Sequence, residues 1–235
     1  MGFKGRTALV VGASKGLGLS VADRLQDEGC RVVSVARSFK RMIGYGVQTD
    51  LMKDGEVEKL AKHVLELYPP DIIYYCIGGS YGGITDWKRS ASEYSQVWRF
   101  NLGIAIDLNN LLIPHMLKNK WGRIVMTSTD GTKCNSGNAP YTSSKFALEG
   151  YVKTASKQLS KDNVILSAVA PGHVYTEGRF MYSQPEEWTK NYFQHHAPIG
   201  RWAADEEIAN MVVFQCSEKA SYMAGSIVRV DGGSR

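Results

Sequence analysis

The sequence predicts an α/β protein, a single doubly wound parallel sheet with helices on both faces. Short apolar, β-branched runs alternate along the chain with longer stretches of helical period, which is the pattern of a parallel sheet covered by helices. No linker rich in Pro, Gly or Ser and no internal repeat divides the 235 residues, and single α/β sheets commonly reach this length. We therefore expect one domain over residues 1–235.

The predicted strands recur at intervals through the chain. They are expected near Thr7–Val11, Arg31–Ala36, Asp71–Cys76, Arg123–Thr127, Val164–Ala170 and Ser226–Val230, with a short weak one near Val47. Helices are expected between them, at about Gly16–Glu28, Asp54–Leu67, Glu93–Lys118, Tyr141–Ser160 and Asp205–Cys216. Residues 172–200 break the alternation, because they are polar and aromatic without a clear period. Long irregular segments in compact domains are often functional, and we expect a substrate lid there.

The composition is that of an ordinary globular protein, with 43% hydrophobic and 22% charged residues. The formal net charge is +5, but Lys and Arg are scattered, which argues against a nucleic-acid partner. No apolar run approaches the roughly 20 residues of a membrane-spanning helix, and the stretch before the first strand is too short for a signal peptide. We expect a cytoplasmic protein without a membrane partner.

Neither the cysteines nor the histidines have the spacing of a metal site. The four cysteines contain no Cys-x-x-Cys pair, so we expect reduced thiols; they are Cys30, Cys76, Cys134 and Cys216. His173, His195 and His196 lie in or beside the expected lid, but no ligand spacing connects them with acids. The sequence therefore predicts no metal.

A glycine-rich loop lies between the first predicted strand and the first helix. Its cofactor-binding candidates are Gly12, Ser14, Lys15, Gly16, Leu17 and Gly18. Glycines at this turn let the backbone approach a pyrophosphate, whose charge then lies at the free amides of the helix. The sequence therefore predicts a Rossmann-type dinucleotide site.

The residue after the second strand indicates which dinucleotide binds. In such folds an acidic residue there selects NAD, whereas a cation accepts the 2′-phosphate of NADP. This strand is followed by Arg37 and Ser38 with no acid in reach, and Lys15 adds a second positive charge beside the glycines. We therefore expect NADP(H) as the cofactor.

Tyr141 and Lys145 form the strongest candidate for proton transfer. Their separation of four residues at the start of a predicted helix places both side chains on one helix face. A tyrosine whose pKa is near 10 is a poor acid at neutral pH unless a nearby cation stabilises its phenolate. Lys145 supplies that cation.

The Gly-x-x-x-Gly-x-Gly loop together with Tyr-x-x-x-Lys resembles the short-chain dehydrogenase/reductase family, in its simple, 3-oxoacyl-carrier-protein-reductase-like branch. The resemblance implies that Tyr141 gives a proton to the substrate oxygen and that Lys145 also holds the nicotinamide ribose. It further implies that Asn101 completes the catalytic group through water. Asp50 and Leu51 resemble the family's pair beside the adenine.

The resemblance also implies a hydroxyl donor to the substrate carbonyl. The fourth long strand runs into Ser128, Thr129, Asp130 and Gly131, which is similar to the family's Ser-x-x-Gly. Ser128 lies thirteen positions before Tyr141, the spacing that the resemblance expects. Counted from Gly122, the segment is one residue short, which favours Thr129. We choose Ser128 and keep Thr129 as the alternative.

A later segment is similar to the family's Pro-Gly-x-Val-x-Thr, whose backbone and threonine hold the nicotinamide carboxamide. The implied contacts are Pro171, Gly172, Val174 and Thr176. One departure is Cys76-Ile77-Gly78-Gly79 where the family has Asn-Asn-Ala-Gly, and Gly78 is the expected cofactor contact there. The proton-transfer residues are unaffected by this change.

The sequence thus predicts an NADP(H)-dependent oxidoreductase that reduces a ketone or aldehyde. We expect a polar or anionic small-molecule substrate, because the lid carries polar and aromatic residues: Glu177, Arg179, Tyr182, Gln184, Trp188, Lys190, Tyr192, His195 and His196. Two alternatives stay open, an epimerase or dehydratase that uses the cofactor transiently and a protein that senses NADP without turnover. Family resemblance implies self-association as a tetramer or dimer.

Overall fold

The protein is described by a computed structural model over residues 2–83, 86–130, 138–175 and 184–234. The strands of its sheet are β1 (Thr7–Val11), β2 (Arg31–Ala36), β3 (Tyr45–Gln48), β4 (Ile72–Tyr75), β5 (Gly122–Thr127), β6 (Val164–Pro171) and β7 (Ile227–Val230). They lie in the order β3-β2-β1-β4-β5-β6-β7, and every pair is parallel. The predicted fold class, a doubly wound Rossmann-type sheet, is confirmed.

Helices connect the strands and cover both faces of the sheet. They are α1 (Gly16–Asp27), α2 (Glu56–Leu67), α3 (Ala91–Trp98), α4 (Ile104–Lys118), α5 (Ala139–Leu159), α6 (Glu186–His196) and α7 (Asp205–Gln215). One buried apolar cluster joins α2, α4 and α5 to one face, and a second joins α1 and α7 to the other. The central strand β1 is buried along its whole length, as expected for a strand with helices on both sides.

The chain is helical throughout the predicted range Glu93–Lys118, but the helix is not regular α-helix along its whole length. A π-helical turn, Arg99–Gly103, separates α3 from α4. Such turns are rare and occur most often at functional sites. The hydrophobic period continues through the turn, so the sequence pattern alone does not reveal it.

The segment 172–200 is not irregular throughout, because α6 lies within it. Rings at a spacing of four residues, Trp188, Tyr192 and His196, stack along one side of this helix. These rings are amphipathic, so the apolar residues of this segment show only a weak helical period. For that reason the sequence pattern does not predict the helix. Residues 176–183 lie outside the described residues.

Most of the predicted site residues that the structure describes lie at or just beyond the carboxyl ends of the strands. Strand order reverses beside β1, where β1 pairs with β2 on one side and β4 on the other. In open α/β sheets, ligands bind at this reversal. Among the described residues, no helix is long and apolar enough to cross a membrane.

Candidate active site

The glycine loop between β1 and α1 is packed too closely to accept larger residues. Gly12 has φ +98°, and a Cβ atom there would lie 2.7 Å from the carbonyl oxygen of Cys76. A Cβ atom on Gly18 would overlap the carbonyl oxygen of Gly12. Bare backbone is therefore required on both sides of the loop, which leaves the amide edge at the start of α1 accessible to a ligand.

A cleft opens beside this loop, at the reversal of strand order. Its volume is about 220 Å³, and it is lined by backbone and side chains of the loop, the ends of β2 and β4, and the segment after β3. Seven predicted cofactor residues line it: Gly12, Ser14, Lys15, Arg37, Asp50, Leu51 and Gly78. Gly16, Leu17 and Gly18 follow directly in α1, so one site unites the residues that were predicted separately.

Two cations lie at the end of the cleft where the adenosine ribose is expected. Arg37 follows β2 directly, and Lys15 precedes α1. Both side chains are exposed, and neither has an ion-pair partner among the described residues. A phosphate group between them would therefore meet two uncommitted donors.

Asn101 lies in the π-helical turn, and its side chain ties that turn to the loop after β4. Its Oδ1 accepts from the amide of Gly79 at 3.0 Å, and its Nδ2 donates to the carbonyl of Gly79 at 2.9 Å. The same Nδ2 donates to the carbonyl of Val97, which the π-helical turn leaves available. Asn101 therefore fixes the backbone beside Gly78, at the inner end of the cleft.

Lys145 reaches the same point from α5. Its ammonium donates to the carbonyl oxygen of Thr127 at 2.6 Å and is buried. A Cβ atom on Gly78 would lie 3.0 Å from Lys145 Nζ and 2.6 Å from Asn101 Oδ1, so a larger residue there would displace both side chains. Burial lowers the pKa of Lys145 to about 8, and nearby Cys76 acts in the opposite direction.

Tyr141 lies in the first turn of α5, one turn before Lys145. The side chain of Asn138 caps this helix by accepting from the Tyr141 amide at 3.1 Å, and it also donates to Ser80 after β4. The Lys145 ammonium lies 5.6 Å from the centre of the Tyr141 ring. The structure therefore brings Tyr141, Lys145 and Asn101 together around the inner end of the cleft.

Ser128 is directed towards a different part of α5. Its hydroxyl donates to Glu149 Oε1 at 2.7 Å, and the residue is buried. Glu149 follows Tyr141 by eight helical residues, which corresponds to about 12 Å along the axis. The neighbouring Asp130 accepts from Arg229 on β7, so the segment around Thr129 is anchored on both sides.

The predicted carboxamide segment begins at the end of β6. Pro171 pairs with Val230, and a Cβ atom on Gly172 would lie 2.7 Å from the Cα atom of Asp231. Val174 forms a parallel bridge with Ala203. Thr176 lies outside the described residues.

Two features of the site were missed by sequence reasoning. The imidazole of His173 packs edge-on against Tyr192, Phe193 and Trp202, which anchors α6 at the carboxyl edge. Burial lowers the pKa of His173, and the charge of His196 contributes. Asp205, the first residue of α7, lies beside Gly16. The spacing of Trp188, Tyr192 and His196 could have indicated the aromatic packing of α6. No local sequence pattern indicates the contact between Asp205 and Gly16.

Comparison with known proteins agrees with this geometry. A family model described as "Enoyl-(Acyl carrier protein) reductase" matches residues 12–235. A 3-oxoacyl-[acyl-carrier-protein] reductase of Aquifex aeolicus is 30% identical over 98% of this chain and 98% of its own. The Escherichia coli protein of the same name is 27% identical over 99% of this chain and 98% of its own.

Two solved structures cover almost the whole chain. A 3-oxoacyl (acyl-carrier-protein) reductase from Agrobacterium tumefaciens with NADP bound has a TM-score of 0.90 at 26% identity, over 99% of this chain and 95% of its own. L-Sorbose reductase from Gluconobacter frateurii, complexed with NADPH and L-sorbose, also has a TM-score of 0.90 at 26% identity. The match covers 100% of this chain and 98% of the reductase chain. With its glycine loop, Tyr141 and Lys145 in place, the chain belongs to the short-chain dehydrogenase/reductase family, in the branch of the 3-oxoacyl-carrier-protein reductases.

Proposed function

We propose that the protein reduces the carbonyl group of a small polar molecule, of the sugar-derivative or acid type, with NADPH. The chain is an oxidoreductase of its family, acting between C=O and CH–OH groups. The observation that carries the proposal is the meeting of Tyr141, Lys145 and Asn101 at the inner end of the cofactor cleft. A protein that only sensed the cofactor would not require this arrangement.

The cleft fits NADP(H). Close packing at Gly12, Gly18 and Gly78 leaves bare backbone along the cleft, which the dinucleotide needs. Ser14 and the first amides of α1 would hold the pyrophosphate, and Arg37 with Lys15 the 2′-phosphate. Asp50 and Leu51 would lie at the adenine, and the backbone of residues 171–174 at the carboxamide. When bound, the cofactor supplies the hydride of the reduction.

Tyr141 is the acid that delivers the proton to the substrate oxygen. The phenol lies at the inner end of the cleft, and the Lys145 ammonium favours its ionised form after the proton has left. The short hydrogen bond from Lys145 to Thr127 fixes the position of that charge. Asn101 acts by holding the backbone that both groups approach.

We assign the second donor to the substrate oxygen to Thr129 rather than to Ser128, which was our first choice from the sequence. The Ser128 hydroxyl is buried and donates to Glu149, far along α5 from Tyr141. Thr129 follows it at the carboxyl edge and is anchored by its neighbour Asp130. Counting from Gly122 supports the same assignment.

Paired alanine variants test this assignment. Thr129→Ala is expected to lower kcat by about 10²-fold, as the loss of one donor to an oxyanion typically does. Ser128→Ala is expected to leave kcat within a few-fold and to lower thermal stability, since it leaves the Glu149 carboxylate without its donor. The reverse pattern of kcat values restores Ser128 as the donor.

The surface of α6 supports a polar substrate. Trp188, Tyr192 and His196 present stacked rings, and aromatic faces suit the apolar faces of sugars. The exposed Lys190 forms an ion pair with Glu186 at 2.8 Å, so its charge is partly compensated. We therefore rank neutral polyol carbonyls above phosphates within the polar class. Arg179, the other candidate for an anion, lies outside the described residues.

The similarity to acyl-carrier-protein reductases supports a second candidate, a 3-oxoacyl thioester. NADPH absorbance followed across a carbonyl panel of ketoses, oxo acids and 3-oxoacyl thioesters distinguishes the two. We expect the highest kcat/KM with a ketose or an oxo acid as substrate. With either substrate, kcat/KM should be much higher with NADPH than with NADH. A best substrate with a long acyl chain would overturn the substrate class. Saturable NADPH binding without turnover on any carbonyl would overturn the reductase and favour a sensor.

A further inference from the structure

A carboxylate lies beside the phosphate-binding end of the cleft. Asp205 is the first residue of α7, which packs along α1 on one face of the sheet, with the N-termini of both helices at the carboxyl edge. A Cβ atom on Gly16, the first residue of α1, would lie 3.7 Å from Asp205 Oδ2. The carboxylate thus lies beside the first residue of α1, the helix whose first amides would receive a pyrophosphate.

Asp205 is uncommitted in the protein without cofactor. Across the described ranges, no hydrogen bond or ion pair to its carboxylate is found, and the side chain is about half-buried. Burial raises the pKa of this carboxyl, and the charge of neighbouring Glu206 raises it further. Asp205 lies in the first turn of α7, where the helix dipole favours an acid, and its carboxylate oxygens remain available to a ligand.

The groups around Asp205 are few. Lys15 lies on the loop before α1 with its side chain exposed, Cys76 lies at the end of β4, and Glu206 follows on α7. The charge of Asp205 contributes to raising the pKa of the Cys76 thiol, which places the two groups within electrostatic reach. Glu207 is engaged with Arg201. No cation is fixed on Asp205 among these groups.

A bound dinucleotide would bring negative charge to the same helix end. Two anions a few ångströms apart in a half-buried site repel, and the repulsion is relieved when the carboxylate takes up a proton. The protonated acid can then donate a hydrogen bond to a phosphate oxygen. Affinity and protonation are therefore coupled.

We propose that Asp205 tunes the affinity of the cofactor site, taking up a proton as NADP(H) binds and weakening cofactor affinity at neutral pH. The inference rests on the proposed use of NADP(H) and goes beyond it. The sign of the Asp205 contribution is fixed: it favours binding as the pH falls, because the free protein then already carries the proton. The carboxylate keeps the cofactor exchangeable, which matters where release limits turnover.

Equilibrium binding of NADPH, followed by calorimetry in buffers with different heats of ionisation, tests the proposal. Asp205→Asn, which has the same shape without the charge, is expected to bind NADPH about tenfold more tightly at neutral pH. Glu206→Gln removes an equal charge from the same helical turn, but its side chain is exposed, so affinity is expected to stay within about twofold.

Proton uptake provides a readout that is independent of affinity. The 2′-phosphate of NADPH also titrates near neutral pH, so the informative quantity is the difference in uptake between the unmodified protein and Asp205→Asn. We expect the variant to take up fewer protons on binding and to lose the part of the pH dependence of affinity that Asp205 contributes. Asp205→Ala, with thermal unfolding as a check on folding, is expected to repeat both results.

The outcomes separate the two claims. If Asp205→Asn binds NADPH no more tightly than the unmodified protein, or takes up as many protons, the role of Asp205 is refuted while the proposed function stands. If the unmodified protein does not bind NADPH saturably, the proposed function fails, and this inference fails with it.

Discussion

At the scale of single residues, the site contains a buried ammonium with an electrostatic cost. Lys145 donates to one carbonyl oxygen and has no carboxylate partner among the described residues. Its burial disfavours the charged form, yet the charge is what the phenol of Tyr141 needs. Function and stability therefore make opposite demands on this position.

Replacing Lys145 with Met is expected to remove turnover and to raise the free energy of unfolding at neutral pH. Since burial lowers the pKa of Lys145 from the 10.5 of an ordinary lysine to about 8, the charged lysine destabilises the fold, in full below about pH 8. The expected gain is on the order of 1–2 kcal/mol, after the hydrogen bond to Thr127 is lost.

Thermal unfolding against pH measures this effect. The unfavourable contribution of Lys145 to stability should shrink between about pH 8 and pH 10.5, where the unfolded chain binds the additional proton, whereas the buried thiols, whose pKa values burial raises, act in the opposite direction in both proteins. The advantage of Lys145→Met should shrink over the same range. Lys153→Met, on the exposed side of the same helix, should show neither change. A less stable Lys145→Met protein at neutral pH would contradict the argument.

Tyr141→Phe is expected to abolish turnover while NADPH binding is retained, because only the phenolic hydroxyl is deleted. Tyr151→Phe is the matched control on the same helix. Its hydroxyl accepts from Asn109 at 3.1 Å, away from the cleft, so the change should leave kcat unaltered. Steady-state rates and cofactor titrations measure both variants. Substantial residual turnover in Tyr141→Phe would assign the proton to another group.

At the scale of elements, the start of α1 is determined by backbone packing. Gly18 lies against the Gly12 carbonyl, so this helix cannot be shifted or widened without moving the loop. Gly150 also lies within a helix, α5, but a Cβ atom there would contact nothing within 4 Å. Replacing each glycine therefore distinguishes two effects. At Gly18 the packing against the loop decides the result, whereas at Gly150 only the low helix propensity of glycine does.

Gly18→Ala is expected to lower stability by about 1–3 kcal/mol and to weaken NADPH binding, because the loop must move away from its packed position. Gly150→Ala is expected to raise stability by about 0.5–1 kcal/mol with unchanged binding, since alanine is the better helix residue. Denaturant unfolding and cofactor titration give both quantities. Equal effects of the two substitutions would show that packing at Gly18 is unimportant.

The elements also show which parts of the structure the sequence predicts. The strands, the glycine loop and the Tyr141–Lys145 pair follow local rules of period and spacing, and the sheet is confirmed. The π-helical turn at Asn101 is held by a contact with Gly79, and the Ser128 hydroxyl is directed by Glu149. Asp205 reaches Gly16 across two helices. Such long-range contacts leave no periodic trace in the sequence.

At the scale of the whole molecule, large apolar side chains remain exposed on the helices of one face. Trp98, Leu111 and Phe146 are 43%, 40% and 48% exposed, on α3, α4 and α5. We propose self-association through this face, as a tetramer or dimer. Sedimentation velocity should show a species larger than 26.0 kDa, and Phe146→Lys should shift it towards the single chain. A single-chain mass for the unmodified protein would refute this.

The parallel sheet has a consequence for the time at which the site forms during synthesis. The glycine loop and Arg37 belong to the first strands made, whereas β7 is made after all other strands and must still pair with β6. Asp231, just after β7, packs on Gly172. We therefore expect that a nascent chain can form the proposed adenosine end of its cleft first, and that the proposed nicotinamide end is completed only when β7 has emerged.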